Sequence, residues 1–419
     1  MQWKAPVLFL SLAGAVLALL WFAVRKEEAS VPPAYVPMEP VTIAVVTDPH
    51  FIAPTLTDNG DCFTRVITSA DGKVMRFSSE LMDAFFAQIA SERPDCLIVA
   101  GDLTFNGARE SHEAFAAYCR ALEESGVPVL VLPGNHDLNY PQAARFYGSE
   151  FEYVESIDAD GFRALYGPYG YDEALSCDEN SLSYVFALRP GLRVLFVDSN
   201  TDPQYDTIPE AAFDWIETQL RDAMEAGDRV ISVTHQTVLQ HNPRYFNGFV
   251  ITNRERLQSL YRKYHVSVNL SGHMHVQHWK RGAGLTEIVT GALCIQPCQY
   301  GFVKLTGEGG YYELRRADVS AWASAQGRTE PELLDFERYA ETFFRDHNIL
   351  RVPDLPDDLA EALWSLHSAY YSGRMDQVQI TAEQLRALKK QASFIGAYAE
   401  SLAPDLGADF TRVSFSFQE

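Results

Sequence analysis

From residue 41 onward the chain alternates between short apolar runs and polar segments. Five runs are rich in β-branched residues: 41–46 (VTIAVV), 96–100 (CLIVA), 127–132 (VPVLVL), 230–233 (VISV) and 266–270 (VSVNL). Runs this short, bounded by glycine and proline, predict buried strands rather than helices. Residues 111–124, between the second and third runs, have apolar positions at helical spacing and complete a strand–helix–strand unit. The pattern predicts an α/β domain over residues 41–320.

Both ends of the chain differ from this middle. Past residue 320 the period becomes helical. Thr329 to Glu332 reads as a capping box with Pro331 in the first turn, leading into LLDFERYAETFF. Residues 357–372 form a second helical pattern closed by Gly373, and Thr381 with Gln384 opens a third. Residues 321–419 are therefore expected to be a small all-α domain. At the other end, residues 5–24 are 20 uncharged residues, preceded by Lys4 and followed by Arg25 and Lys26. That is enough helix to cross a hydrocarbon core of ~30 Å. With no good small-x-small cleavage site after it, residues 1–26 are expected to be an uncleaved signal-anchor rather than a removed leader. Residues 27–40 hold four prolines and read as an extended linker.

Composition narrows the class. The chain has 419 residues, is 47% hydrophobic and carries a net charge of −22. So acidic a surface repels phosphate backbones, and no polymeric nucleic acid partner is expected. Six cysteines are too few for a disulfide scaffold. Cys294 and Cys298 are close enough in sequence to pair, or to be two free thiols in a strand-end loop.

The candidate chemistry sits at the strand ends. The five runs end in Thr47-Asp48-Pro49-His50, Gly101-Asp102, Gly134-Asn135-His136-Asp137, Thr234-His235 and Gly272-His273-Met274-His275. In open α/β sheets functional groups collect at the carboxyl ends of strands. One Asp or Asn after a strand is an ordinary turn former, but five polar strand ends together point to a site. In an extended segment residues i and i+2 face the same way, so Asp48 and His50 can share an ion, as can His273 and His275. Imidazole and carboxylate ligands without thiolates suit Mn, Fe or Zn. Glycines at 101, 134 and 272 let the backbone approach closely. His278 falls outside this block and reads as a bystander.

In order, D-x-H, G-D, G-N-H-D, a lone histidine and G-H-x-H over residues 41–305 resemble the signature of the calcineurin-like metallophosphoesterases. The segments PTLTDNGDCF, ADGKV, GDLTFNG, FYGSEF and YGYDEALSCDENSLSYVF resemble the bacterial cyclic-nucleotide phosphodiesterase-type branch, which has a helical C-terminal domain. The resemblance implies a four-layer sandwich of two mixed β-sheets flanked by helices. It implies two divalent metal ions: Asp48, His50 and His275 on one, Asp102 bridging, and Asn135, His235 and His273 on the other. It also implies a bridging hydroxide for in-line attack on phosphorus, with His136 facing the substrate. Asp137 would orient that imidazole or else serve as a turn residue. Pro49, between two expected ligands, departs from an unconstrained D-x-H but leaves both side chains.

The leading expectation is a phosphodiesterase acting on a small phosphate ester, with a 3',5'-cyclic nucleotide as the substrate the resemblance suggests, on a membrane-anchored and extracytoplasmic domain. The rival activities are a phosphomonoesterase or nucleotidase, and a hydrolase of lipid or cell-wall phosphates. A rival of another class is an inactive membrane-anchored binding module. Around the site, Asp71-Gly72 signals a hairpin within residues 51–77, either a lid or surface decoration. Asn106, His241 and Asn253 are further candidates for reaching the site, Asn106 as a substrate contact. His112, His265, His347 and His367 read as ordinary surface or core residues.

Overall fold

The computed structural model describes residues 34–417 except 203, 205, 349, 351–354, 392 and 393. All five runs are strands. In the first sheet the order is β15 (Arg412–Ser416), β14 (Gly309–Arg316), β13 (Gln299–Leu305), β1 (Val41–Val46), β2 (Cys96–Ala100) and β3 (Val129–Leu132). β1, β2 and β3 are parallel, and the other neighbours are antiparallel. The second sheet runs β11 (His278–Gly282), β12 (Leu285–Val289), β10 (Val268–Ser271), β9 (Arg229–Thr234), β8 (Leu192–Val197), β7 (Tyr184–Arg189) and β6 (Ser176–Cys177). Its central strands β8, β9, β10 and β12 are parallel, with antiparallel strands at both edges. Both sheets are mixed. β4 (Ala144–Tyr147) and β5 (Glu150–Tyr153) form a separate hairpin.

The side-chain alternation of β8 shows the layering. Val194 and Phe196 enter the large core shared with the first sheet. Leu195 and Val197 enter a second core against the helices Ala212–Ala226 and Arg254–Lys263. A strand whose two faces fill two cores shows no regular polar alternation, which is why such runs are mostly apolar. The helices Ser78–Glu92 and Arg109–Glu124 pack into the large core.

The C-terminal segment corrects two expectations. It is not all-α: β15 adds to the edge of the first sheet, with Tyr312 opposite Val413. Val413 and Phe415 are buried while Arg412, Ser414 and Ser416 are exposed, a half-buried strand period obscured by its position behind helices. The helices and the sheets fall in one compact unit, Tyr35–Gln418. The Thr329 capping box does not form. Glu330 is the N-cap of a single turn, Pro331–Leu334, and the chain breaks at Asp335 before the helix Phe336–His347. The other two helices match expectation. Asp357–Ser372 ends on Gly373 at φ 71°, and Thr381 and Gln384 form a capping box for Ala382–Lys389.

Residues 51–77 hold no hairpin. The helix Asp61–Thr68 and a 3-10 turn, Met75–Phe77, flank Asp71-Gly72, because Phe63 and Ile67 are drawn into the core on helical spacing. The linker's last residues dock, with Val36 N–H bonded to the Gly227 carbonyl and the Arg229 guanidinium 4.5 Å above the Tyr35 ring. No helix among the described residues is long and apolar enough to cross a membrane. The anchor expected over residues 1–26 lies outside the described residues.

Candidate metal centre

The carboxyl ends of β1, β2 and β3 in one sheet, and of β9 and β10 in the other, meet at one place. Each supplies a polar loop. Among the described residues two groups hold donor atoms within 4.8 Å of one another: Asp48, His50, Asp102 and His275, and Asp102, His235 and His273. Asp102 belongs to both. Its Oδ2 lies 3.6 Å from His50 Nε2 and its Oδ1 lies 3.3 Å from His235 Nε2. Asn135 joins the second group through Oδ1, 3.2 Å from His235 Nε2. All seven expected ligands therefore converge.

Their backbone geometry differs from the extended segments expected. Asp48, His50, Asp102, His273 and His275 sit at φ between 43° and 66°, in the left-handed region. Asp and His tolerate it better than most residues, yet each costs on the order of 1 kcal/mol or more. The chain tightens at these turns instead of running straight, so i,i+2 parity is not what sets direction. His275 consequently faces Asp48 and His50 while His273 faces His235. Backbone bonds hold the turns: Asp48 N–H to the Gly101 carbonyl and His50 N–H to the Asp102 carbonyl. Gly134 is required for packing, because a Cβ there would overlap the Asp102 amide and carboxylate.

The outer hydrogen bonds set which nitrogen of each imidazole is free. His235 Nδ1 donates to the Ala100 carbonyl at 2.8 Å, and His275 Nδ1 donates to Asp71 Oδ2 at 3.0 Å. His273 Nε2 donates to the Gly248 carbonyl at 2.5 Å. The remaining lone pairs then face inward, His273 Nδ1 at 3.3 Å from His235 Nε2, and His275 Nε2 at 3.2 Å from His50 Nε2. Asp48 Oδ2 is used by Thr47 Oγ1 and His273 N–H, whereas its buried Oδ1 has no hydrogen-bond partner. Facing lone pairs and an orphaned carboxylate oxygen call for cations between them, and mixed N/O donors at these separations fit divalent ions.

The electrostatics agree. Burial disfavours a charged His235, yet the Asp102 carboxylate pushes it up to about 10. His275 is likewise pushed up to about 9, against burial and the Lys73 charge, by Asp48 and Asp71. Burial instead holds His50 well below its ordinary value and His273 down at about 4, so the carboxylates favour a cation at His235 and His275 while the other two imidazoles stay neutral donors.

His136 stands apart from the ligands and lines a cavity of ≈ 360 Å³ above them. Its backbone N–H bonds Asp102 Oδ1 at 2.8 Å, its Nδ1 donates to the Phe105 carbonyl at 2.9 Å, and Tyr140 stacks on its ring. Burial holds its pKa below the ordinary 6.5, although Asp102 opposes. Nε2 of the neutral ring is thus free.

Two expected site residues are corrected. Asp137 does not touch His136. Its carboxylate accepts from the backbone N–H groups of Leu103, Thr104 and Gly134 and from Thr104 Oγ1, tying the β2 and β3 loops together. It is the loop-forming residue of the two readings, and the Phe105 carbonyl orients His136 instead. Asn106 is buried and bonds the Ala144 carbonyl on β4, away from the cavity lining. His278 is outside both groups. It pairs Nδ1 to Nδ1 with His241 at 2.8 Å, and His241 reaches Glu287. Asn253 bonds both backbone groups of Ile208. All six cysteines are free.

Sequence reasoning missed Asp71 and Lys73. Asp71 lies 204 residues from His275, and its two oxygens also accept from Lys73 Nζ at 3.0 Å. The Asp-Gly dipeptide was the one available signal, and it suggests a turn rather than a partner.

The calcineurin-like phosphoesterase family model matches residues 41–277, over half of the chain. A probable glycerophosphodiester phosphodiesterase of Arcobacter nitrofigilis is 26% identical over 186 residues, 44% of this chain and 57% of the relative. A probable cyclic nucleotide phosphodiesterase of Rhodococcus erythropolis is 26% identical over 220 residues, 52% and 64%. A 3',5'-cyclic-nucleotide phosphodiesterase of a Nostoc species is 22% identical over 261 residues, 61% and 80%. The match thus spans less than two thirds of the first two relatives.

Proposed function

The chain belongs to the calcineurin-like phosphoesterase family, and from that premise we propose that it is a phosphodiesterase acting on a small diester, with 3',5'-cyclic nucleotides as the preferred class. The observation that carries this reading is the pair of donor groups sharing Asp102 beneath a cavity lined by His136. Asp48, His50, Asp102 and His275 would hold one divalent ion, and Asp102, Asn135, His235 and His273 the other. When bound, two such ions supply Lewis-acid charge and a nucleophile at neutral pH. The protein's part is to aim the donors by outer hydrogen bonds and to hold His136 Nε2 at the substrate. With Nδ1–H locked on the Phe105 carbonyl, Nε2 is the nitrogen that faces the substrate: protonated from solvent, it would donate that proton to the leaving oxygen as the P–O bond breaks.

The relatives' names favour a diester: one is a probable glycerophosphodiester phosphodiesterase and two are cyclic-nucleotide phosphodiesterases. The test is the purified full-length protein loaded with Mn²⁺, assayed on bis-p-nitrophenyl phosphate, p-nitrophenyl phosphate and cyclic mononucleotides. Diester turnover should exceed monoester turnover; equal or greater rates on the monoester would refute the reading. Residues 5–24 support placing this unit on a membrane, and we place its catalytic part outside the cytoplasm. Recovery in the soluble fraction after cell lysis would count against that placement.

A further inference from the structure

The cavity is not made by the family region alone. Its walls include Tyr370 and Tyr371, nearly a hundred residues beyond the matched segment, together with Tyr245 and Phe249. Tyr371 is held in register with the metal ligands. Its carbonyl accepts from the Gln277 N–H at 3.1 Å and from Gln299 Nε2 at 2.9 Å, and Gln277 is two residues after His275. Gly373 packs on the Gln277 side chain, which itself bonds the Phe410 carbonyl. The Tyr371 ring is braced by Phe344 and His367 at 4.8 and 4.7 Å. The loop carrying Tyr245 and Phe249 is tied to the same segment. Asn242 Nδ2 bonds Ser401 Oγ at 3.1 Å, and the Arg244 guanidinium lies 5.1 Å from the Phe394 ring. Tyr245 and Phe249 contact each other at 4.9 Å, and Phe249 lies 5.4 Å from the His273 ring.

We propose that this aromatic wall, built jointly by the helix Asp357–Ser372 and the 242–249 loop, selects diesters carrying a planar heteroaromatic group over those of acyclic polyols. The proposal rests on the diesterase reading above and says which group of the substrate the C-terminal segment recognises. Flat rings held rigidly beside a phosphoryl site stack on a nucleobase and cost little entropy to order. A glycerol headgroup leaves them uncovered. Stacking on one aromatic residue changes affinity by about 5- to 150-fold.

The test uses full-length, Mn²⁺-loaded protein and the variants Phe249→Leu, Tyr245→Leu and Tyr371→Leu. Substrates are 3',5'-cyclic AMP and glycerophosphoethanolamine, and 5'-AMP binding is read by calorimetry. The ratio of kcat/KM for the nucleotide over the glycerol diester should fall about tenfold or more in each variant, through KM. Binding of 5'-AMP should weaken by a similar factor. Equal changes on both substrates, or no change, would overturn the proposal. Should Tyr371→Leu fail to fold, the half-buried loop residues Tyr245 and Phe249 still decide it. If bis-p-nitrophenyl phosphate is not hydrolysed by the wild type, the diesterase reading itself fails. If it is hydrolysed and the ratio holds constant, the aromatic wall alone is refuted.

Discussion

Replacing Asp71 by asparagine separates two tasks performed by one carboxylate. Asp71 accepts the Nδ1–H of His275, which leaves Nε2 for a metal, and it neutralises Lys73, whose side chain is 9% exposed. Removing one member of a buried ion pair leaves a buried charge and costs about 3–5 kcal/mol. Asp71 is itself 23% exposed, so water reaches the gap, and about 2–3 kcal/mol is expected. Lys73 should also lose the attraction that now raises its pKa against burial, and shed its proton more readily. Loss of a partner behind a ligating histidine weakens metal binding about 10- to 100-fold. Asparagine can still accept from His275, so the lower end, about tenfold, applies. The two effects come apart in Asp71→Asn combined with Lys73→Met. Urea unfolding of metal-free protein should show Asp71→Asn destabilised and the double variant largely recovered. Mn²⁺ titration calorimetry should show both variants weakened. Wild-type Mn²⁺ affinity in the double variant would refute the orienting role of Asp71.

Three further outcomes rest on the same geometry. His136→Ala keeps the backbone N–H that bonds Asp102, so Mn²⁺ affinity should stay within about twofold while kcat falls about 10²- to 10⁴-fold. A parallel loss of metal would show that His136 is a ligand. Gly272→Ala would drive a Cβ into Thr47 Oγ1 and to 2.7 Å from Asp48 Oδ2, so metal stoichiometry should drop, at about 1–3 kcal/mol of stability; normal stoichiometry by elemental analysis would contradict the packing. Burial holds His112 and His367 at about 3, against an ordinary 6.5. The unfolded chain therefore binds more protons between pH 6.5 and 3, and stability present above 6.5 is lost as pH falls, by roughly 2 kcal/mol per histidine at pH 5. His367→Phe should flatten the pH dependence of urea midpoints between pH 7 and 5; an unchanged slope would mean that His367 is not buried as a neutral ring.

Legibility in the sequence tracked locality. β1, β2, β3, β9 and β10 could be read because each is a few consecutive, mostly buried residues, and burial on both faces keeps polar positions such as Thr42, Ser232 and Asn269 too few to break the run. The convergence of the candidate ligands could be read because every one lies within a few residues of a strand end. Direction was harder. Spacing alone has His273 and His275 point alike, which assumes extended backbone; left-handed φ values at both positions turn them into separate groups, the division that only the resemblance implied. The role of Asp137 turned on whether its carboxylate reaches an imidazole or three amide groups, which depends on how the β2 loop lies against it.

By itself, then, the sequence determined the five strands that carry the site, their polar ends and hence the class of chemistry, because periodicity and strand-end composition are short-range properties of the chain. Tertiary structure alone decided the pairings between distant segments. It brought Asp71 to His275, left His278 paired with His241, turned residues 412–416 into a sheet edge and set Tyr371 in the same cavity wall as His273 and His275. Such contacts are chosen by packing among many alternatives of equal local propensity, so no window of sequence contains them.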